Sequence, residues 1–159
     1  MSISSSIQPI ERPKKDQKVY YSGKKKRHTL KTEIRITLKK RIVRVSKERP
    51  GSLHDFALYK EEQPLDKDTR GYADSGYQGL DKVHQATEIP YKASKHKPLI
   101  EGEKEYNTAL SRLRVKVENV FAQLKTFKIL SDRYRNKRKR YNIKFNIIAG
   151  SVNMKNGFA

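Results

Sequence analysis

The chain contains no cysteine, which excludes disulfide scaffolds, thiolate zinc sites, iron–sulfur clusters and cysteine nucleophiles. Its histidines, His28, His54, His84 and His96, are scattered with no metal-ligand spacing. No apolar run approaches the length of a membrane span, and the first residues lack the basic and apolar stretches of a secretory leader. The expectation is a soluble, cytoplasmic protein. Acidic residues are also scarce, 17 against 37 Lys and Arg, for a formal charge of +20 over 159 residues. Such a surplus opposes compactness unless a polyanion neutralises it, so nucleic acid is the expected partner.

What is present is a single domain's length, residues 1–159, with 35% hydrophobic residues arranged in short ordered patterns. Residues 12–44 hold fourteen Lys and Arg against Asp16 and Glu33, with Tyr20 and Tyr21 interleaved. The arm at 12–27 is the basic part without apolar patterning. Residues 29–38 then alternate apolar and polar side chains, and 41–46 resume the alternation, which predicts a β-hairpin with one buried face. Ser52 is placed to cap a helix running to Lys60. Residues 71–74 read as a short strand, 78–85 as a helix and 89–91 as a further strand, a parallel pair in outline. From Glu103 to about Leu130 apolar residues recur every three or four positions without Gly or Pro, the signature of a long amphipathic helix. A second basic segment, 133–144, holds seven Lys and Arg and no acid, and leads into a final packed helix. The whole suggests an α/β sheet covered by helices.

Two carboxylates stand out. At about 100° per residue, Arg114, Glu118 and Lys125 share one stripe at the margin of the long helix's buried face. The plain alternative is an i,i+4 Arg–Glu pair that supports the helix by a few tenths of a kcal/mol. Asp74 ends a short strand just before Ser75-Gly76, where open α/β sheets place ligand sites; its plain alternative is a turn-forming Asp. Together such acids can hold Mg²⁺ through one or two carboxylates, with water and phosphate oxygens completing the octahedron.

Four segments resemble the DDE-type transposases of bacterial insertion sequences: Pro9-Ile10-Glu11-Arg12-Pro13-Lys14-Lys15; residues 21–29, Tyr-Ser-Gly-Lys-Lys-Lys-Arg-His-Thr; Ala73-Asp74-Ser75-Gly76-Tyr77-Gln78-Gly79; and Arg114-x₃-Glu118-x₆-Lys125. Residues 134–140 continue the likeness. The resemblance implies a ribonuclease H-like mixed sheet flanked by helices, its first strand open to being incomplete. It implies Asp74 and Glu118 as the second and third metal-binding carboxylates, with Mg²⁺, or Mn²⁺ in its place, as cofactor. It implies DNA contacts from Arg114 and Lys125, and the basic segments add Lys24, Lys25, Lys26, Arg27, Arg135, Lys137 and Arg138. The implied activity is metal-dependent DNA strand cleavage and strand transfer at the element's ends, by a chain acting as a homo-oligomer or co-assembled with an upstream product, and nucleoid-associated through DNA.

Two positions depart from the family pattern. Ser111 stands where the signature has Tyr, and Ser4 stands where the first catalytic Asp is expected, with Ile7 where an acid often follows. Glu11, Asp16 and Asp55 are the acids nearest in sequence, Asp55 being better explained as a residue that caps or opens its helix. The family's upstream DNA-binding region has no counterpart among these residues. An inactive transposase remnant acting as a DNA-binding or regulatory module is therefore the alternative; a ribosomal-type RNA-binding protein explains charge and size but not Asp74 or Glu118.

Overall fold

The computed structural model describes residues 1–158. Along the chain run β1 (Ser2–Pro9), α1 (Gln17–Tyr20), β2 (Tyr21–Ser22), β3 (Arg27–Ile36), β4 (Ile42–Val45), β5 (Arg49–Pro50), α2 (Asp55–Lys60), β6 (Gly71–Tyr72), α3 (Leu80–Val83), β7 (Thr87–Glu88), α4 (Glu101–Lys125), α5 (Lys128–Ser131) and α6 (Tyr141–Lys155). Single 3-10 turns occupy Ser75–Tyr77 and Arg138–Arg140. The strands form one mixed sheet along the path β2-β3-β1-β6-β7, with β4 and β5 also bonded to β3.

β1 pairs antiparallel with β3 along all eight of its residues, from Ser2 opposite Ile36 to Pro9 opposite Thr29. On its other edge it runs parallel to β6, with Ser2 opposite Tyr72, and β6 runs parallel to β7. The predicted hairpin is β3 and β4, turned at Lys40, whose φ of 72° is left-handed. The predicted parallel pair is β6 and β7, although β7 lies at 87–88, two residues earlier than expected. The long helix stops at Lys125, because the chain becomes extended at Phe127 before the short α5. The helix near Ser52 begins at Asp55, and the Ser52 hydroxyl is spent on the Val19 carbonyl instead of a cap.

One expectation fails. β3 has no solvated face: every residue from Thr29 to Ile36 is buried. Its alternation separates two interiors. Leu30, Ile34 and Ile36 join Val117, Val120 and Leu124 of α4 and Phe145, Ile148 and Val152 of α6 in the larger apolar core. Lys31, Glu33 and Arg35 point to the opposite side, under α2, beside a smaller cluster of Ile3, Tyr59, Leu65, Ala73, Tyr77 and Leu80. Polar residues at period two read as an exposed face only when no layer covers them, and α2 covers these. Among the described residues no helix is long and apolar enough to cross a membrane.

Candidate active site

The register places the strand ends. Ser2 faces Tyr72 across the parallel pair, so two residues on Ser4 is level with Asp74. Ile3 belongs to the cluster under α2 and the Ser5 hydroxyl donates to Asp55 on α2. By alternation Ser4 therefore faces the other side, toward α4. The position at which the family pattern expects an acid thus lies beside Asp74 and on the face that α4 covers.

Asp74 follows β6 with extended backbone and opens the 3-10 turn, its Oδ1 accepting the Gly76 N–H at 2.7 Å. The turn-forming role is real, and it leaves Oδ2 for another partner. That oxygen lies 3.9 Å from a guanidinium nitrogen of Arg114, and the same nitrogen lies 4.0 Å from Oε1 of Glu118. One cationic atom therefore lies near both carboxylates, at separations too long for hydrogen bonds. Their distance apart cannot exceed the sum of those two lengths. Asp74 and Arg114 are about three-quarters buried while Glu118 is 64% exposed, so the trio opens to solvent on the Glu118 side. α4 makes this possible because Arg114 and Glu118 are one turn apart at the edge of its buried stripe of Leu110, Val117 and Val120.

Two hard oxygen donors on an open edge suit Mg²⁺, which keeps several waters and needs only one or two protein carboxylates. Among the described residues no group of three or more His, Asp or Glu is gathered as a metal cage. Ser4, with a neutral hydroxyl, adds no charge.

The basic residues fall into separate groups. Lys24 lines an open cleft of about 560 Å³ together with Asp55, Lys60, Asp74, Gly76 and Lys92. Lys25 and Lys26 continue along the same exposed turn between β2 and β3, and Arg27 opens β3. Arg135, Lys137 and Arg138 lie elsewhere, at the far end of β1, where Ile10 bridges Tyr134. Six strand residues from Ser4 to Ile10 span about 20 Å. There Arg138 stacks on the Tyr20 ring at 4.2 Å and Arg135 faces Glu11 at 3.8 Å. Lys125, exposed at the end of α4, is about 10 Å along the helix axis from Glu118.

Of the acids nearest in sequence, Asp16 precedes α1 and Glu11 faces Arg135, and neither lines the cleft. Asp55 does. It makes no side-chain cap; Oδ1 accepts from Ser5 at 2.7 Å and pairs with Lys31 at 2.9 Å. Lys31 also donates to the Leu53 carbonyl. Next along β3, Glu33 accepts from Arg35 at 2.8 Å and from the Tyr77 hydroxyl at 3.2 Å. Burial raises the Glu33 carboxyl above its ordinary value despite Arg35. Burial, with the negative charges of Glu33, Asp55 and Asp74, holds the Tyr77 phenol well above its ordinary range. Alternation along β3 puts Glu33 and Arg35 on the same face, where they pair.

A family model described as DDE superfamily endonuclease matches residues 3–153. The chain is also 44% identical over 154 residues to a protein of Microchaete diplosiphon described as a probable transposase for insertion sequence element IS702. That alignment covers 96% of this chain and 55% of the relative, so the chain spans about half the relative's length. No solved structure matches it significantly.

Proposed function

Because the chain belongs to the DDE superfamily endonucleases, we propose that its fold is the strand-cutting core of an insertion-sequence transposase, with Asp74 and Glu118 as catalytic and metal-binding carboxylates. The observation that carries this reading is the single Arg114 nitrogen shared by the two acids, 3.9 and 4.0 Å from their nearest oxygens. The sheet supports a ribonuclease H-like assignment: antiparallel partners lie on one side of central β1 and parallel strands on the other.

A divalent ion held by Asp74 and Glu118, Mg²⁺ or Mn²⁺, would activate a water and stabilise the leaving oxygen. The protein's own groups prepare that chemistry. The Gly76 N–H fixes Asp74 Oδ1, leaving Oδ2 to face the reacting centre. Arg114 offsets repulsion between the two acids and would engage the scissile phosphate. In hydrolysis the water oxygen bonds to phosphorus and gives up a proton, the P–O3′ bond breaks, and O3′ leaves as a hydroxyl after taking up a proton; in strand transfer that hydroxyl loses its proton and bonds to a target phosphorus, and the target's own P–O3′ bond breaks, its O3′ leaving as a hydroxyl. Lys24 to Arg27 and Lys125 hold the backbone near the cut, and Arg135, Lys137 and Arg138 hold it about 20 Å away. These contacts release counterions, so binding weakens steeply with salt, and they associate the protein with the nucleoid.

Ser4 sets the level of activity. One carboxylate fewer lowers metal affinity and loosens the attacking water. Supercoiled plasmid nicking with Mn²⁺ tests this on the chain itself, on Ser4→Asp, and on Ser4→Asp combined with Glu118→Gln. Nicking by Ser4→Asp alone is the expected result. If every form binds DNA and none nicks, the strand-cutting reading falls and a DNA-binding module replaces it.

A further inference from the structure

Gly76 explains itself by space rather than by backbone conformation. It is not among the positive-φ residues, yet a Cβ built on it would lie 2.2 Å from Asp55 Oδ2 and 2.9 Å from Asp74 Oδ1. The Asp55 carboxylate is thus packed directly against the Gly76 backbone, whose N–H holds Asp74. Its other oxygen is anchored to the two central strands, by Ser5 on β1 and Lys31 on β3. Both anchors lie on the side of the sheet away from α4.

We propose that Asp55 is a positioning residue for Asp74: it transmits the fixed geometry of β1 and β3 to the 75–77 turn and so sets where the Asp74 carboxylate points. This rests on the reading of Asp74 as a catalytic acid. Asp55 reaches Asp74 only through the turn, for three reasons. Its Oδ1 is occupied by Ser5 and Lys31; its Oδ2 meets the Gly76 backbone; and the Lys31 ammonium offsets its charge, so a second anion can lie beside Asp74 without driving it aside. Below the turn, Tyr77 is wholly buried and donates to Glu33, so residue 77 is pinned as residue 76 is braced. Supporting groups of this kind typically change metal affinity or activity by about 10–100-fold when removed.

The decisive readout needs no catalysis. Amide hydrogen exchange at Gly76, measured by NMR on the metal-free chain, reports the turn, and Mn²⁺ affinity, measured in the Ser4→Asp protein, reports the carboxylate. Asp55→Asn keeps the size and the Ser5 contact but loses the ion pair. It is expected to speed Gly76 exchange and weaken Mn²⁺ by about tenfold or more, with partial recovery when Lys31→Met removes the orphaned ammonium. Gly76→Ala, which meets the same contact from the other side, is expected to disturb Mn²⁺ binding less when Asp55→Ala makes room.

Unchanged Gly76 exchange in Asp55→Asn overturns the positioning role, even if Mn²⁺ affinity falls; complete loss of Mn²⁺ with an undisturbed turn would instead make Asp55 a direct ligand. Asp74→Asn separates the two levels. If it leaves Mn²⁺ affinity unchanged, the catalytic reading falls and the positioning role with it. If it weakens binding while the Asp55 variants leave the turn unchanged, only the positioning role falls.

Discussion

The two sides of β3 are held together by different physics, although one ten-residue strand lines both. Toward α4 and α6, Leu30, Ile34 and Ile36 pack into the larger apolar core, and the main favourable term is area removed from water. Toward α2, Lys31, Glu33 and Arg35 are as deeply buried, but each is tolerated only because a partner answers it: Asp55, Arg35 with Tyr77, and Glu33 with the Gln63 carbonyl. Arg35 also lies over the Tyr59 ring at 4.8 Å. An apolar side fails by degrees as atoms are removed. A paired side fails when one member goes and is nearly indifferent when both go.

The largest effect should come from the paired side. Arg35→Met leaves Glu33 buried without its cation, and urea denaturation is expected to show a loss of about 3–5 kcal/mol. Adding Glu33→Leu should recover much of it, because the uncompensated charge is then gone. A double variant no better than the single one would show that packing around Arg35, not pairing, stabilises this side.

On the apolar side, Leu124→Ala opens a cavity between α4 and the sheet, at an expected cost of about 2–5 kcal/mol in the same assay. Here a second truncation, such as Val152→Ala, should add to the first or exceed it. Recovery on double substitution would erase the contrast between the sides.

The smallest effect is one of pH. Burial raises Glu33 above its ordinary carboxyl value of 4.5. The native state therefore keeps a proton that the unfolded chain has already lost, and stability falls as pH rises from that ordinary value through the raised one. Glu33→Gln removes the slope, so the wild type should lose stability relative to the variant as pH rises above about 4.5. A relative gain instead would mean that pairing with Arg35 outweighs burial at Glu33.

The apolar side was legible in the sequence, since the spacing of Leu110, Val117, Val120 and Leu124 admits only a helix with one buried stripe. So were the placements of Asp74 just after a strand and of Glu118 at a helix margin, because local patterns define such places. The paired side was not. Whether Lys31, Glu33 and Arg35 meet water depends on α2, twenty or more residues on, folding over them, and nothing within the strand encodes that. β1 was hidden for the opposite reason. Ser2, Ser4, Ser5 and Ser6 carry little strand signal of their own, and the strand is specified by its two neighbours. Asp55 looked like an ordinary acid in a helix's first turn; only the close packing on Gly76 distinguishes it.

β1 also has a timing. The ribosome makes it before either strand it must lie between: β3 follows by some two dozen residues, and β6 only near residue 71. Throughout that interval neither of these neighbours covers its edges, and an uncovered, strongly apolar strand would find other nascent chains to pair with. Four hydroxyl side chains in eight residues make it a poor template for such pairing. The composition that hides the central strand from sequence reading is what lets it wait, unpaired and harmless, for the partners that complete the sheet.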